Sequence, residues 1–214
     1  MDYRVLRELV KQGEGQQLEF KLKSNHPEKI VREMVAFANS EGGRLLIGVG
    51  DDKSIKGLKY VDEDEYLLVK AIEKYIVPPL AYTVQTIPIG DERDVLVFTI
   101  LPSQERPHYL LQENLKKAYI RVADKAVQAS WEMREILRRG RKIRDIKFTY
   151  GEKEQKLIHH LGENKNITVD TFAQIANISR KMASKTLILL VLANVLEVHP
   201  DEIIDTFTIV KTFS

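Results

Sequence analysis

The sequence has 214 residues and a nearly balanced charge, with 33 Lys and Arg against 31 Asp and Glu. Its 43% hydrophobic and 30% charged content is typical of a folded globular protein and excludes an intrinsically disordered chain. It has no cysteine, which excludes disulfide bonds and thiolate zinc sites. No apolar run approaches the roughly 18 residues that span a bilayer, and the first residues lack the apolar core of a signal peptide. We therefore expect a cytoplasmic protein with no membrane partner.

The residue pattern in the first quarter of the sequence predicts two helices and two strands. Apolar residues spaced for one helix face predict a helix over residues 2–12, which Gly13 ends. Alternating apolar and charged residues predict a strand over 18–21, and a second apolar face predicts a helix over 27–38. The glycines of the sequence NSEGG then break this helix before a buried strand over 45–49. We expect these glycines to allow tight packing between helix and strand.

The following residues continue this mixture of helices and strands. A helix is predicted over 61–77, where two prolines stop it, and a helix that Ser130 caps is predicted to about residue 137. The turn GDER lies between two alternating stretches and predicts a hairpin. The predicted strands in this part of the chain are 82–89, 94–101, 109–111 and 118–122.

Several strings of this region occur in the order that one known family shows. They are LEFK, AFANSEGG, LLIGV, DDKSIKGL, RPHYL and AYIRVADKAVQAS, within roughly residues 1–140. This part of the sequence resembles the Schlafen AlbA-like domain, also called the divergent AAA-4 domain. The resemblance implies a compact domain associated with nucleic-acid binding. We expect the α+β class, with a mostly antiparallel sheet. No GxxxxGK[ST] string occurs, so the residues give no support for ATP hydrolysis.

The resemblance also implies a candidate catalytic site. In animal Schlafen proteins, two glutamates and an aspartate are implicated in metal-dependent ribonuclease activity, and they correspond to Glu14, Glu19 and either Asp51 or Asp52. Such carboxylates would bind Mg²⁺ or Mn²⁺. The family commonly has an acidic residue where this chain has Gly50. The alternatives are an ion pair of Glu19 with a neighbouring lysine and a turn formed by the two aspartates. The leading expectation is therefore a protein without a metal or other cofactor.

The predicted nucleic-acid contacts of this domain are basic. Arg121 has two interpretations, because its planar guanidinium suits a phosphate but could equally form an internal ion pair with Glu19. The candidate residues are Lys21, Lys23, Arg44, Arg121 and Lys125.

A basic segment precedes a change in composition. Residues 131–147 contain seven basic and three acidic residues, a net charge of +4, which could attract a polyanion or form a solvated helix and linker. We predict a domain boundary at 148–150, with the AlbA-like domain over 1–148 and a second domain over 149–214.

The second domain is predicted to be a small winged helix-turn-helix. Its helices are predicted at about 152–161, at 169–176 after the cap Thr168, and from 180 after the cap Ser179, with two strands following. In that fold the start of the third helix faces the major groove, and here it offers Arg180, Lys181, Ser184 and Lys185. The apolar string LILLVLANV exceeds what one small core needs, which indicates a subunit interface and a homodimer.

The leading functional hypothesis is a nucleic-acid-binding protein that acts as a transcriptional regulator on double-stranded DNA. One alternative is a metal-dependent endoribonuclease of the Schlafen type. The other is an oligomeric interaction or ligand-sensing module without affinity for nucleic acid.

Overall fold

A computed structural model describes residues 1–90, 92–113, 115–140 and 150–210. The chain divides into two compact units, Met1–Gln128 and Ala129–Ser214. The boundary predicted at residues 148–150 thus differs from the observed division. Most of that predicted boundary, and four basic residues of the predicted basic segment, lie outside the described residues.

The first unit contains helices and strands in mixed order. Its described helices are α1 Tyr3–Gln12, α2 Pro27–Asn39 and α3 Val61–Tyr75. Its described strands are β1 Leu18–Lys21, β2 Gly43–Ile47, β3 Ile76–Val77, β4 Tyr82–Gly90, β5 Arg93–Ile100, β6 Tyr109–Gln112, β7 Leu115–Lys117, β8 Tyr119–Val122 and β9 Lys125–Gln128.

The main sheet has four strands in the order β1-β2-β5-β4. Strand β1 runs parallel to β2, whereas the β2–β5 and β5–β4 pairs are antiparallel. A further sheet has the order β3-β6-β7, and β8 pairs with β9, all antiparallel. The α+β class with a mostly antiparallel sheet is confirmed.

The main sheet is covered by helices on both faces, and β2 shows why. Alternate residues of a strand point to opposite faces. Leu45 and Ile47 are buried in the cluster that contains α2 and α3, and Leu46 is buried with α1 residues such as Leu6 on the other face. The apolar run of β2 is therefore that of a strand buried on both sides.

Gly42, just before β2, and Gly43, the first residue of β2, allow α2 and β2 to approach closely. Gly42 has a φ of +73°, which L side chains rarely adopt, and its N–H donates to the carbonyl of Phe37. A Cβ on Gly43 would lie 2.4 Å from the Phe37 ring. The tight packing expected of this turn is thus observed.

The second unit contains four described helices and a hairpin. The helices are α4 Trp131–Gly140, α5 Glu152–Glu163, α6 Val169–Ala176 and α7 Arg180–Leu192. The antiparallel strands are β10 Leu196–His199 and β11 Thr206–Ile209. The hydroxyls of Thr168 and Ser179 accept from backbone N–H groups in the first turns of α6 and α7, as expected of capping residues.

Helix α4 belongs to this second unit because it packs against α7. The Ser184 hydroxyl of α7 donates to the buried Glu132 carboxylate of α4 at 2.6 Å. Leu137 of α4 and Ile188 of α7 are both buried. The apolar surplus of α7, from which a subunit interface was predicted, is thus covered within one chain, so it gives no support to a dimer. In the described part of the chain, no helix is both long and apolar enough to cross a membrane.

We expect Gly43→Ala to destabilise the first unit by about 1–3 kcal/mol, because its new methyl group would overlap the Phe37 ring. Chemical denaturation would measure this effect. Gly15→Ala is the matched control, because a Cβ there meets nothing within 4 Å. Equal unfolding midpoints for the two variants would contradict the packing role of Gly43.

Candidate nucleic-acid interface

Arg121 of β8 lies in the interior of the first unit. Its Nη1 lies 3.0 Å from Glu19 Oε2 and 2.8 Å from Glu33 Oε2, and its Nη2 donates to the carbonyl of Gly15 at 2.7 Å. The guanidinium also lies over the ring of Phe37, 4.7 Å from its centre. Arg121 is buried and was wrongly placed among the nucleic-acid contacts; its alternative interpretation, an internal ion pair with Glu19, is the observed one.

Two more cations surround the same carboxylates. Lys21 pairs with Glu19 and also donates to the carbonyl of Phe20 at 2.8 Å. Arg32 pairs with Glu33 at 3.0 Å. Lys21 is thus held by its own chain, although it was predicted to contact nucleic acid. We call the five residues Glu19, Lys21, Arg32, Glu33 and Arg121 the Arg121 cluster.

The end of α2 connects this cluster to two later segments. The Asn39 amide is buried, donates to the carbonyls of His108 and Tyr119, both at 2.9 Å, and accepts from the N–H of His108 at 2.7 Å. The Ser40 hydroxyl accepts from the N–H of Arg121 at 2.9 Å. The strings AFANSEGG, RPHYL and AYIRV therefore meet at one point. Sequence reasoning missed Glu33, Asn39 and Ser40. For Asn39 and Ser40, their place at the end of an apolar helix face was a usable signal; Glu33, in the middle of α2, gave none.

The predicted metal ligands do not form a site that fits a metal ion. Both oxygens of Glu19 already face cations, those of Lys21 and Arg121. Glu14 Oε1 accepts from the N–H of Phe20 at 2.8 Å. Among the described residues, no group of three or more His, Asp and Glu side chains is arranged to hold a metal. We therefore derive no metal-dependent step from these residues.

Two of the predicted metal ligands, Glu14 and Asp52, have pKa values shifted in opposite directions. Burial raises the pKa of Glu14, and the nearby charges of Glu19 and Asp51 raise it further. The side chain of Asp52 accepts from the hydroxyl and the N–H of Ser54, which holds its pKa below the usual range. Asp52 thus shapes a turn, as its alternative interpretation expected, while Asp51 is exposed.

Three of the predicted basic contacts of the first unit are exposed: Lys23 after β1, Arg44 on β2 and Lys125 at the start of β9. The structure thus leaves these three cations available to a polyanion.

In the second unit, the predicted contacts lie at the start of α7. Lys181 and Lys185 are exposed, and Arg180 pairs through Nε with Asp170 of α6 at 2.9 Å. Ser184 is buried against Glu132, because its side chain is on the α7 face that α4 covers. The prediction that Ser184 contacts DNA is therefore wrong.

The family model described as Schlafen, AlbA_2 matches residues 14–130, which is more than half of the chain. The chain belongs to the Schlafen AlbA_2 family. The resemblance predicted from the motifs is thus confirmed for this range, and all five residues of the Arg121 cluster lie within it.

Two solved structures are similar to this Schlafen AlbA_2 protein. One is the N-terminal domain of a RecG-related protein from Nitrosomonas europaea, with 19% identity and a TM-score of 0.42 over 55% of this chain and 85% of that chain. The other is the DIP2311 protein from Corynebacterium diphtheriae, with 16% identity and a TM-score of 0.43 over 69% of this chain and 32% of that chain. These similarities are too low to carry an argument about function.

We expect Glu19→Gln to destabilise the first unit by about 3 kcal/mol. This is the lower end of the usual cost of removing one partner of a buried ion pair, because Glu33 still pairs with Arg121. Denaturant unfolding would measure it, with the exposed Glu41→Gln as matched control. If Glu19→Gln unfolded at the wild-type midpoint, the structural role of this carboxylate would be refuted.

A second prediction concerns pH. The raised pKa of Glu14 means that the folded state holds this proton more tightly than the unfolded state. Its contribution to stability is therefore present at low pH and is lost as the pH rises through the raised pKa. Glu14→Gln keeps an acceptor for Phe20 without the charge, so its thermal midpoint should gain on the wild type from pH 4.5, the ordinary carboxyl value, towards neutrality. A midpoint difference between Glu14→Gln and the wild type that stays constant with pH would contradict the raised pKa.

Proposed function

We propose that this protein binds nucleic acid and acts as a transcriptional regulator, with its second unit docking on duplex DNA as a winged helix-turn-helix. The order of elements supports this proposal. Helix α6, a turn over residues 177–179 with Asn177 in the left-handed conformation, and α7 follow one another directly. The hairpin β10–β11 follows, and Phe207 bonds to Ile167 just before α6 through both of their backbone groups. In helix-turn-helix proteins the second helix of the motif lies in the major groove.

The observation that carries the proposal is the exposed basic start of α7. The helix contains Arg180, Lys181 and Lys185 and no acidic residue. The N-terminus of a helix also carries the positive end of the helix dipole, which attracts phosphate. Asp170 offsets part of the charge of Arg180, which leaves Lys181 and Lys185 as the main phosphate contacts.

In the first unit, the exposed residues Lys23, Arg44 and Lys125 are the proposed contacts to nucleic acid. Their affinity would come from phosphate neutralisation, so it would fall with salt and carry little sequence information.

The alternative of a metal-dependent ribonuclease stays a prediction that the geometry does not favour, because Lys21 and Arg121 already neutralise Glu19. A cytoplasmic location also stays a prediction. An interaction module without nucleic-acid affinity is the remaining alternative, and the binding experiment below distinguishes it.

We expect Lys181→Gln to weaken binding to a random-sequence DNA duplex. The loss of one phosphate contact should reduce the slope of log K against log salt concentration by about 0.9. Fluorescence anisotropy at four or five salt concentrations would measure both quantities.

Lys156→Gln is the matched control, because Lys156 is an exposed lysine of the same unit that pairs with Glu152 on α5. It should leave the slope unchanged. Equal slopes for Lys181→Gln and the wild type would remove α7 from the interface, and no binding by the wild type would favour the interaction module.

A further inference from the structure

Strand β4 forms one edge of the main sheet. The strand order β1-β2-β5-β4 leaves β1 and β4 on the outside. Three of the four residues of β1 are buried, and β1 is short. Strand β4 has nine residues, and Thr83, Gln85, Thr86 and Pro88 are exposed. The long edge of this sheet is therefore the one that solvent reaches.

One hydrogen bond establishes which backbone groups of β4 point outward. The N–H of Leu101 donates to the carbonyl of Ala81, so these two residues form a hydrogen-bonded pair just before the β4–β5 ladder. Such pairs alternate with pairs whose N–H and C=O groups point away from the partner strand. Given the register Val84↔Phe98, the residues with outward groups are Tyr82, Val84, Thr86 and Pro88.

Pro88 agrees with this assignment of the outward backbone groups of β4. Proline has no N–H to donate, and within sheets it is tolerated where its nitrogen faces away from the ladder. The outward edge therefore offers donors and acceptors at Tyr82, Val84 and Thr86, and the row of donors ends at Pro88.

The same segment has no charge. From Ile76 to Gly90 there is no Asp, Glu, Lys or Arg, in a chain of which 30% is charged. Proteins commonly place charged residues on edge strands to block pairing with other chains. When two copies of one strand pair antiparallel, a charge near the centre of the strand would lie close to its own copy. A strand without charges can pair with itself.

We propose that β4 pairs antiparallel with β4 of a second copy of this chain, across a two-fold axis at Val84. This register places Val84 opposite its own copy, Tyr82 opposite Thr86 and Thr83 opposite Gln85. The outward residues Tyr82, Val84 and Thr86 then meet outward residues of the second copy, which gives about six interchain backbone hydrogen bonds, two for each of three pairs. The two main sheets become one continuous sheet, and the interface is isologous and closed.

One short strand pair is a small interface, so the dimer should be weak. Stable dimers usually bury more area than this contact provides. We expect a dissociation constant on the order of micromolar. The proposal concerns the first unit alone and does not depend on DNA binding.

Analytical ultracentrifugation of the full chain without nucleic acid tests the proposal, from about 1 to 100 μM. Thr86→Pro removes an outward N–H that only a second chain would use, and so removes about two of the six interchain bonds. We expect it to weaken the dimer about tenfold or more. Gln85→Lys adds a lysine to the edge of each copy and should also weaken it. Gln128→Lys, at an exposed position of β9, makes the same change elsewhere and should leave the dimer intact.

Hydrogen exchange gives an independent readout. The amides of Val84 and Thr86 should become protected as the protein concentration rises, whereas those of Thr83 and Gln85 point into the sheet and should be protected at all concentrations.

A wild type that stays monomeric to about 100 μM would overturn the proposal. A dimer that persists in both edge variants would also overturn it, because its interface would lie elsewhere. Circular dichroism would show that each variant is folded, and Gln85→Lys decides the outcome if Thr86→Pro is not.

Discussion

The first unit depends on one buried arginine. Arg121 of β8 contacts Glu19 of β1, the carbonyl of Gly15 just before β1, and Glu33 of α2, so it joins three separate parts of the chain, its own strand included. Burying these charges costs several kcal/mol for each ion unless every partner is in place. The cluster therefore discriminates against arrangements in which β1, α2 and β8 pack differently, even if it adds little net stability. Asn39 strengthens this discrimination, since its buried amide bonds both segments that approach the end of α2.

This constraint changes how the charged motif residues relate to function. The carboxylate of Glu19 would suit a metal ion and the guanidinium of Arg121 would suit a phosphate. In the structure the two side chains instead form a buried ion pair with each other. Lys21 similarly neutralises Glu19. The cations available to a polyanion are instead exposed ones without a role in the core, such as Lys23 and Lys181. Charged residues in a family motif can therefore serve to hold the fold together rather than to bind a ligand.

Local patterns predicted most elements of the fold, but not the partners of their polar residues. The alternation of β1 and the apolar face of α2 predicted both elements closely. A strand pattern cannot show which side chain meets Arg121, because Glu33 is 88 residues away in sequence. Strand β3 has only two residues and follows α3 without a break, so it has no pattern of its own. The sequence of α7 shows more apolar residues than one small core needs, but no local pattern shows that α4 packs against them.

The central claim is that Arg121 is structural, and a double-mutant cycle tests it most directly. Glu33→Gln, Arg121→Gln and the double variant would be unfolded in denaturant beside the wild type, and their DNA affinities would be measured in parallel. The account predicts a coupling energy of about 2 kcal/mol between the two side chains, within the range for residues in one buried network. It also predicts that DNA affinity is unchanged under conditions where the variants are folded. A coupling near zero, together with weaker DNA binding by Arg121→Gln at an unchanged unfolding midpoint, would contradict the account.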